Sequence, residues 1–593
     1  MKSIGVNKFK NFAIIATFSF LLSLAFVSKN AFYLNLIFTI YMFAGLASAW
    51  NIVGGFAGQL SLGHSAFYGL GAYGTSVLFV KYGLPPIVGI WLGILLAIIL
   101  AIIIGYPCFR LRGPFFTLAT IAVGEVLLIL AVNLKNLTAG SEGLSIPFAP
   151  SLYNLSFESK TPYAFMAFLF MILSVGSTYF IKKSRLGYEL FALRDEDQAA
   201  EALGVNTTKA KILALVISAA ITALGGGIYA QYVLFLEPHS EFSLATSVNF
   251  AMIAMVGGLG TVVGPTIGAF ILIPLQEILR AWLGGASQGL YFIIYGVLIM
   301  LVVMFMPQGV LQLCLKPIHG FMQKFIRYND EVPQIISFEA YNNIHDFPGD
   351  EILRVESVSK RFGGIHAVDN VSFSVNKGEI IGIIGPNGAG KSTMFDLLSG
   401  IYLPDSGRII YKSITISDIR KSYKICHLGI GRTFQIVKPF ENITVLENVM
   451  VGAFCRKRKV KDAKQTALEI LAMVGLIDKK DQLGHSLTLA DKKRLEVARA
   501  LATYPDVLLL DEVMAGLTPA EVEEAIMLIR RLRDYGITVM VVEHVMQAIM
   551  SLSNRIIVMA EGKKVAEGTP AEIIHDPVVI KAYLGYEYES PTA

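Results

Sequence analysis

Three short stretches between residues 380 and 544 place side chains able to handle a polyphosphate. The first, "EIIGIIGPNGAGKSTMFDLLSG", joins a β-type run, Ile380–Ile384, to a glycine loop and then a helix. Gly385 through Ser392 has the form G-x-x-x-x-G-K-S. In such a loop Gly385, Pro386, Asn387, Gly388, Ala389 and Gly390 let backbone N–H groups wrap phosphates, and the helix start adds a favourable dipole. Lys391 reaches the outer phosphates and Ser392 can ligate Mg²⁺; the nucleotide-contacting set runs on to Thr393. The second stretch, "DVLLLDE", reads as a buried parallel strand over Val507–Leu510. Asp511 emerges at its end, suited to hold Mg²⁺ through water, and Glu512 follows, suited to orient or deprotonate an attacking water. The third, "TVMVVEHVMQ", predicts another strand ending at His544, a candidate sensor of the γ-phosphate. An Asp-Glu pair or a single histidine means little alone. Their order after a phosphate loop gives them weight.

These residues need a parallel sheet flanked by helices, and only part of the chain can supply it. Of 593 residues, 54% are apolar and 16% charged, but the average hides a division. Residues 11–307 are one long apolar stretch after another, whereas 351–590 read as a soluble protein. The sequence predicts a membrane domain over 1–310, a linker over 311–350 and a nucleotide-binding domain over 351–593. Candidate spans lie near 11–29, 32–53, 61–80, 86–107, 115–134, 162–181, 211–233, 246–262, 265–284 and 289–306. The third, eighth and ninth are glycine-rich and weaker, so the fold class is a polytopic α-helical domain of roughly eight to ten spans followed by an α/β P-loop ATPase domain. Gly257, Gly258, Gly260 and Gly264-Pro265 mark a tight hairpin or a broken helix. Arg110 and Arg112, and Lys182, Lys183, Arg185 and Arg194, place their loops in the cytoplasm. Lys2, Lys8 and Lys10 precede a retained first span with a cytoplasmic N-terminus.

Within the spans, Glu125, Glu277 and Arg280 are either functional charges or structural ones. His64 either packs through hydrogen bonds or lines a solute path. A net charge of +5 is too small for this length to suggest nucleic-acid binding. Cys108, Cys314, Cys426 and Cys455 read as free thiols, with no metal-ligand spacing.

Residues 351–590 resemble the nucleotide-binding domain of ABC transporters. Phe362 in "SKRFGGIHAV" matches the aromatic that stacks on adenine, and Gln435 in "GRTFQIVKPF" the glutamine that touches Mg²⁺ and the attacking water. Asp511, Glu512 and His544 match the metal, base and switch residues. The closing "VAEGTPAEIIHDPVVIKAYLG" and "GIGRTFQ" look like the LivG-type ATPase of branched-chain amino acid importers. "NIVGGFAGQLSLGHSAFYGLGAYG", "LRGPFFTLATIAVGEV", "LRDEDQAAEALGVN" and "MVGGLGTVVGPTIGA" resemble the LivM-type permease. "QAAEALG", Gln198 to Gly204, fits the family's coupling motif, with Gln198 for Glu. The resemblance implies a permease fused to its ATPase in the plasma (inner) membrane, with the ATPase cytoplasmic and ATP and Mg²⁺ as cofactors. It implies a second permease and a second ATPase subunit, or a homodimer of the fusion, and an extracytoplasmic solute-binding protein. A branched-chain amino acid is the expected solute. Urea or a short amide is the alternative, and an exporter or a membrane-tethered signalling ATPase are further rivals.

"LTLADKKRLEVARAL" departs from the family. Its slot usually reads close to Leu-Ser-Gly-Gly-Gln and grips an ATP held by the neighbouring ATPase. Thr488 keeps a hydroxyl for the γ-phosphate, but Leu489, Ala490 and Asp491 replace the two glycines and the glutamine. Asp491 either places a carboxylate beside a polyanion or caps the following helix. The slot is either a tolerated variant or one half of an unequal pair of sites. Lys492, Lys493 and Arg494 read as a solvated helix face.

Overall fold

The structure is a computed structural model and describes residues 30–109, 115–283 and 350–584, with scattered positions between 293 and 311. The expected first span, Arg110, Arg112, Cys314 and nearly all of the linker lie outside the described residues, as does much of the tenth span. The chain divides into two compact units. One carries the membrane helices; the other carries the P-loop half together with Phe191–Thr207.

In the first unit, the apolar runs become helices α1 (Ala31–Asn51), α2 (His64–Tyr82), α3 (Pro86–Cys108), α4 (Phe115–Asn133) and α5 (Thr161–Lys183). Then come α6 (Arg185–Asp195), which runs into the segment that belongs to the second unit, α7 (Asp197–Ala202) inside that segment, and, back in the first unit, α8 (Thr207–Val233), α9 (Leu244–Gly258) and α10 (Gly264–Leu283); two short strands, β1 (Leu144–Ser145) and β2 (Phe235–Leu236), pair antiparallel. Among the described residues, five segments are long and apolar enough to cross a membrane: Ala31–Phe56, α3, α4, α5 and α8. The glycine-rich candidates do form helices. However, α9 has only 15 residues, about 22 Å of rise against a hydrocarbon core of about 30 Å.

Small residues set the helix packing. A Cβ on Gly71 would lie 1.9 Å from the Ala223 carbonyl oxygen, and one on Gly226 would lie 2.1 Å from that of Tyr68. α2 and α8 therefore meet backbone to backbone, the close approach that small residues permit in hydrocarbon. The glycine segment after α9 is a tight turn, not a broken span. Asn51 holds it: its Oδ1 accepts from the Gly260 N–H at 2.9 Å and its Nδ2 donates to the Thr261 carbonyl at 2.8 Å.

His64 is fully buried. The Ser218 hydroxyl donates to the Ala49 carbonyl at 2.6 Å, so it must accept from His64 Nε2–H at 2.8 Å. Nδ1 is then left to accept from the Ser61 hydroxyl at 2.9 Å. Both ring nitrogens are satisfied, and His64 is a packed, hydrogen-bonded histidine. Glu125 instead lies on an exposed face of α4, beside Val126 and Ile129.

In the second unit, fully apolar runs form a six-stranded sheet in the order β12-β11-β5-β10-β9-β8, where β5 is Ile380–Ile384, β8 Ile430–Arg432, β9 Val507–Asp511, β10 Thr538–Val542, β11 Arg555–Ala560 and β12 Lys563–Gly568. All neighbours are parallel except the β11–β12 pair. Every residue of β5, β9 and β10 is buried, as the continuous apolar runs require. A four-stranded antiparallel sheet, β4-β3-β6-β7, is built from β3 (Glu351–Phe362), β4 (Ile365–Asn376), β6 (Ser406–Tyr411) and β7 (Ile414–Thr415). The P-loop leads into α11 (Lys391–Leu398). Helices α12 (Ser422–Leu428), α13 (Val445–Ala453), α14 (Val460–Met473) and α15 (Leu489–Leu501) complete the parts that matter for the site.

Candidate functional site

Parallel order brings the carboxyl ends of β5, β9 and β10 to one edge, where open α/β sheets bind ligands. The loop after β5 places Gly385, Gly388 and Gly390 at φ 155°, 81° and 97°. A Cβ at Gly390 would lie 2.1 Å from the Ala367 carbonyl oxygen, so glycine is required there for both backbone and space. Lys391 is buried, and its ammonium donates to the carbonyls of Gly385 at 2.7 Å and Pro386 at 2.9 Å. Burial pulls its pKa down, opposed by the negative charges of Glu512 and Asp511.

Asp511 closes β9 and is buried. Burial pushes its pKa up to about 6, against the pull of Arg432 at 3.4 Å. Its Oδ1 has no hydrogen-bond partner among the described residues. Glu512 is the next residue and has φ 51°, a left-handed conformation rare for a non-glycine residue. Two contacts hold its backbone there: its N–H donates to the Val542 carbonyl at 2.9 Å, and its carbonyl accepts from the Lys493 ammonium. The turn aims the Glu512 carboxylate at two other predicted residues. Oε1 accepts from Gln435 Nε2 at 2.9 Å and meets His544 Nε2 at 3.1 Å. Two groups 109 positions apart in the chain, Gln435 and His544, thus converge on one oxygen of Glu512. Such an arrangement can fix a water and take its proton.

Two details differ from the sequence reading. β10 ends at Val542, and His544 stands two residues beyond, because the Glu543 carboxylate turns back to accept the Met514 N–H at 2.6 Å. Lys493 is not solvated. It is buried under the Glu512 carbonyl, while Arg494 pairs with Glu524.

Phe362 is 41% exposed and meets Tyr402 edge-on, with ring centroids 5.1 Å apart, while the Lys360 ammonium lies over its ring, 5.7 Å from the centroid. Thr488 is the N-cap of α15, and its hydroxyl oxygen accepts the Asp491 N–H. The same hydroxyl donates to Asp491 Oδ2 at 2.7 Å, and the Lys479 ammonium pairs with that oxygen. Burial would raise the Asp491 pKa, but the hydrogen bonds from Lys479 and Thr488 outweigh it and hold the carboxylate below its usual range. The unusual acid is therefore a buried, neutralised part of the helix cap.

Sequence reasoning missed the residues that hold this edge together. Arg432 binds Asp396, the Ser399 hydroxyl at 2.9 Å and Asp511. Glu496 accepts the Phe434 N–H at 2.9 Å, and Arg499, fully buried over the Phe440 ring, donates to the Lys438 carbonyl at 2.6 Å. A charge in the middle of an apolar helix face was the available signal for both.

The inserted segment, 191–207, adjoins the loop that carries Gln435. Asp195 accepts from the Asn442 N–H at 2.9 Å and its side-chain amide at 2.8 Å, and Glu196 pairs with Lys438 at 3.0 Å. Ala199, Ala200 and Ala202 of α7 are buried, and α7 packs on α12. Gly204 has φ 90°, and its carbonyl lies 3.0 Å from His427 Nε2.

Comparison with known proteins agrees with both units. Residues 32–304 match the family model of the branched-chain amino acid transport system / permease component. Residues 368–515 match the ABC transporter model, and 563–589 the branched-chain amino acid ATP-binding cassette transporter model. The high-affinity branched-chain amino acid transport ATP-binding protein LivG of Salmonella typhimurium is 38% identical over 250 residues, covering 40% of this chain and 98% of that protein. BraF of Pseudomonas aeruginosa, with the same description, is also 38% identical with the same coverage. A crystal structure of an ATP-binding cassette of an ABC transporter in its ADP conformation is 32% identical, covering 40% of this chain and 100% of that one, with TM-score 0.37.

Proposed function

Since the chain belongs to the branched-chain amino acid ABC transporter family, as a permease and its ATPase fused in one polypeptide, we propose that it couples ATP hydrolysis to import of a branched-chain amino acid across the plasma membrane. One observation carries the coupling: residues 191–207, drawn from between membrane helices, pack within the ATPase unit and hydrogen-bond the loop that begins at Gln435. Movement of that loop with nucleotide state is passed to α6 and α8, which flank the segment in the chain.

In the ATPase unit the geometry supports one set of roles. Phe362 offers a ring face to adenine. The backbone of 385–390, with Ser392 and Thr393, wraps the phosphates, and Lys391 leaves its loop carbonyls to neutralise the γ-phosphate. Glu512, held by Gln435 and His544, takes the proton of the attacking water; His544 also reports whether the γ-phosphate is present. The unpartnered, buried Asp511 Oδ1 fits a metal's water shell. Ser392, Gln435 and Asp511 would hold Mg²⁺, which when bound neutralises phosphate charge. Thr488, once its hydroxyl turns from Asp491, would serve the ATP of a neighbouring ATPase unit, so a second ATPase, a second permease and an extracytoplasmic binding protein complete the assembly.

The test is uptake by proteoliposomes of the assembled complex with purified binding protein and labelled leucine, isoleucine, valine and urea. ATP-dependent accumulation of at least one branched-chain amino acid is expected. Accumulation of urea alone, or ATP hydrolysis with no solute stimulated or taken up, refutes the proposal.

A further inference from the structure

Two of the cysteines that look scattered in the sequence meet beside Gly204. Cys426 lies in α12 and Cys455 in the turn after α13, 29 positions later, with their sulfurs 3.9 Å apart. His427 joins them: its Nδ1 is 3.3 Å from Cys455 Sγ and its Nε2 is 3.0 Å from the Gly204 carbonyl oxygen. A carbonyl only accepts, so Nε2 carries a proton and Nδ1 is left to receive one from the Cys455 thiol. The Arg456 guanidinium donates to the His427 carbonyl at 3.0 Å and adds positive charge. The Cys455 thiol is accordingly drawn down, by the hydrogen bond with Cys426 first and by His427 and Arg456 after it, against the cost of burial. Cys426 is pushed up. Cys455 is half-buried and reachable, whereas Cys426 is buried. One thiol is suited to attack and its neighbour to resolve.

The pair is also packed against the coupling segment. A Cβ built on Gly204 would lie 3.0 Å from Cys455 Sγ and 3.4 Å from Cys426 Sγ. Drawing the sulfurs together to about 2.05 Å must therefore move atoms that touch the end of the segment.

We propose that Cys426 and Cys455 form an oxidation site for hydrogen peroxide, closing to a disulfide against Gly204 and lowering uptake per ATP hydrolysed. The Cys455 thiolate attacks one peroxide oxygen, the O–O bond breaks, and the departing hydroxide takes the His427 Nδ1 proton to leave as water. The Cys426 sulfur then attacks the Cys455 sulfenic acid. The S–S bond forms, the S–O bond breaks, and hydroxide leaves with the Cys426 proton as a second water. Two thiols and one peroxide thus give one disulfide and two waters. The effect on uptake rests on the coupling role proposed for residues 191–207; the oxidation chemistry does not.

The assembled complex, in a Cys108→Ser/Cys314→Ser background, is treated with hydrogen peroxide and digested without reduction. A Cys426–Cys455 linked peptide is expected, with a several-fold fall in uptake per ATP that dithiothreitol reverses. Cys455→Ser should remove the peroxide response, and Cys426→Ser should leave a dimedone-reactive sulfenic acid on Cys455. His427→Gln should slow iodoacetamide labelling of Cys455 about tenfold. Absence of the linked peptide, at doses that oxidise free glutathione, overturns the proposal. So does a linked peptide with unchanged uptake per ATP. Gly204→Trp in the reduced complex tests the coupling segment separately: wild-type uptake there refutes the coupling role and leaves the linked peptide to stand or fall alone.

Discussion

Lys479→Met isolates what the Asp491 carboxylate costs when its partner is removed. Asp491 is 6% exposed, and Lys479 and Thr488 both act on its Oδ2. Removing one member of a fully buried ion pair costs about 3–5 kcal/mol. The Lys479 side chain is 39% exposed, so water already screens much of that, and the expected loss is about 1–2 kcal/mol. Asp491→Asn keeps the shape and the link to Thr488 while removing the charge. The double variant Lys479→Met/Asp491→Asn should therefore recover most of the loss, with a coupling of about 1 kcal/mol. The assay is thermal unfolding of the full chain in detergent, run beside ATPase activity of the assembled complex, which should fall in Lys479→Met and return in the double variant. pH supplies a second check. The folded pKa of Asp491 is depressed, so its stabilising contribution is present above the unfolded value of about 3.9 and is lost as pH falls through the lower, folded value. The gap between wild type and Lys479→Met should be full above about pH 5 and close in strong acid. A double variant no better than Lys479→Met alone would refute the argument that Asp491 is a neutralised cap.

Glu512→Gln should slow ATP hydrolysis by about 10²-fold or more while ATP binding persists; near-normal turnover would remove Glu512 from the role of base. Lys391→Ala should abolish transport, since no other group in the loop carries its charge, and measurable ATP-driven uptake would count against it. Gly204→Trp should keep ATPase activity and lose uptake, because φ 90° strains any side chain and a Cβ already presses on two sulfurs; uptake at the wild-type rate would show that the segment does not couple. His64→Ala should lower thermal stability by about 2–4 kcal/mol, as it leaves a cavity and frees the Ser61 hydroxyl; an unchanged melting temperature would contradict the structural role of its two hydrogen bonds.

What was legible in the sequence was whatever depends on local pattern. The run Ile380–Ile384 is β5, residue for residue, because four isoleucines around Gly382, just before a glycine loop, have few other places to go. The strand-end acids, the phosphate loop and most helix positions followed for the same reason. The rest required long-range pairing. Nothing near Lys493 in the chain says that its ammonium caps a carbonyl 19 residues away, and a run of three basic residues on a helix resembles a wet surface. The choice for Asp491 between a charge beside phosphate and a helix cap stayed open in the sequence, because Lys479, 12 residues earlier, carries no motif. The cysteine pair was hidden in the same way, since spacing betrays a metal site but not two thiols meeting from a helix and a distant turn.

The place of residues 191–207 in the chain has a consequence for biogenesis. The surface against which Gly204 rests includes Cys455, which leaves the ribosome roughly 250 residues later. At about 5–20 residues per second, that is an interval of about 10–50 s. Throughout it the buried alanines of α7 have no partner, while α8 and the helices after it are being made. A transporter assembled from separate chains meets its ATPase by diffusion. Here the segment is followed in the same chain by its partner surface, and the wait for that contact is fixed by the speed of translation, not by subunit concentration.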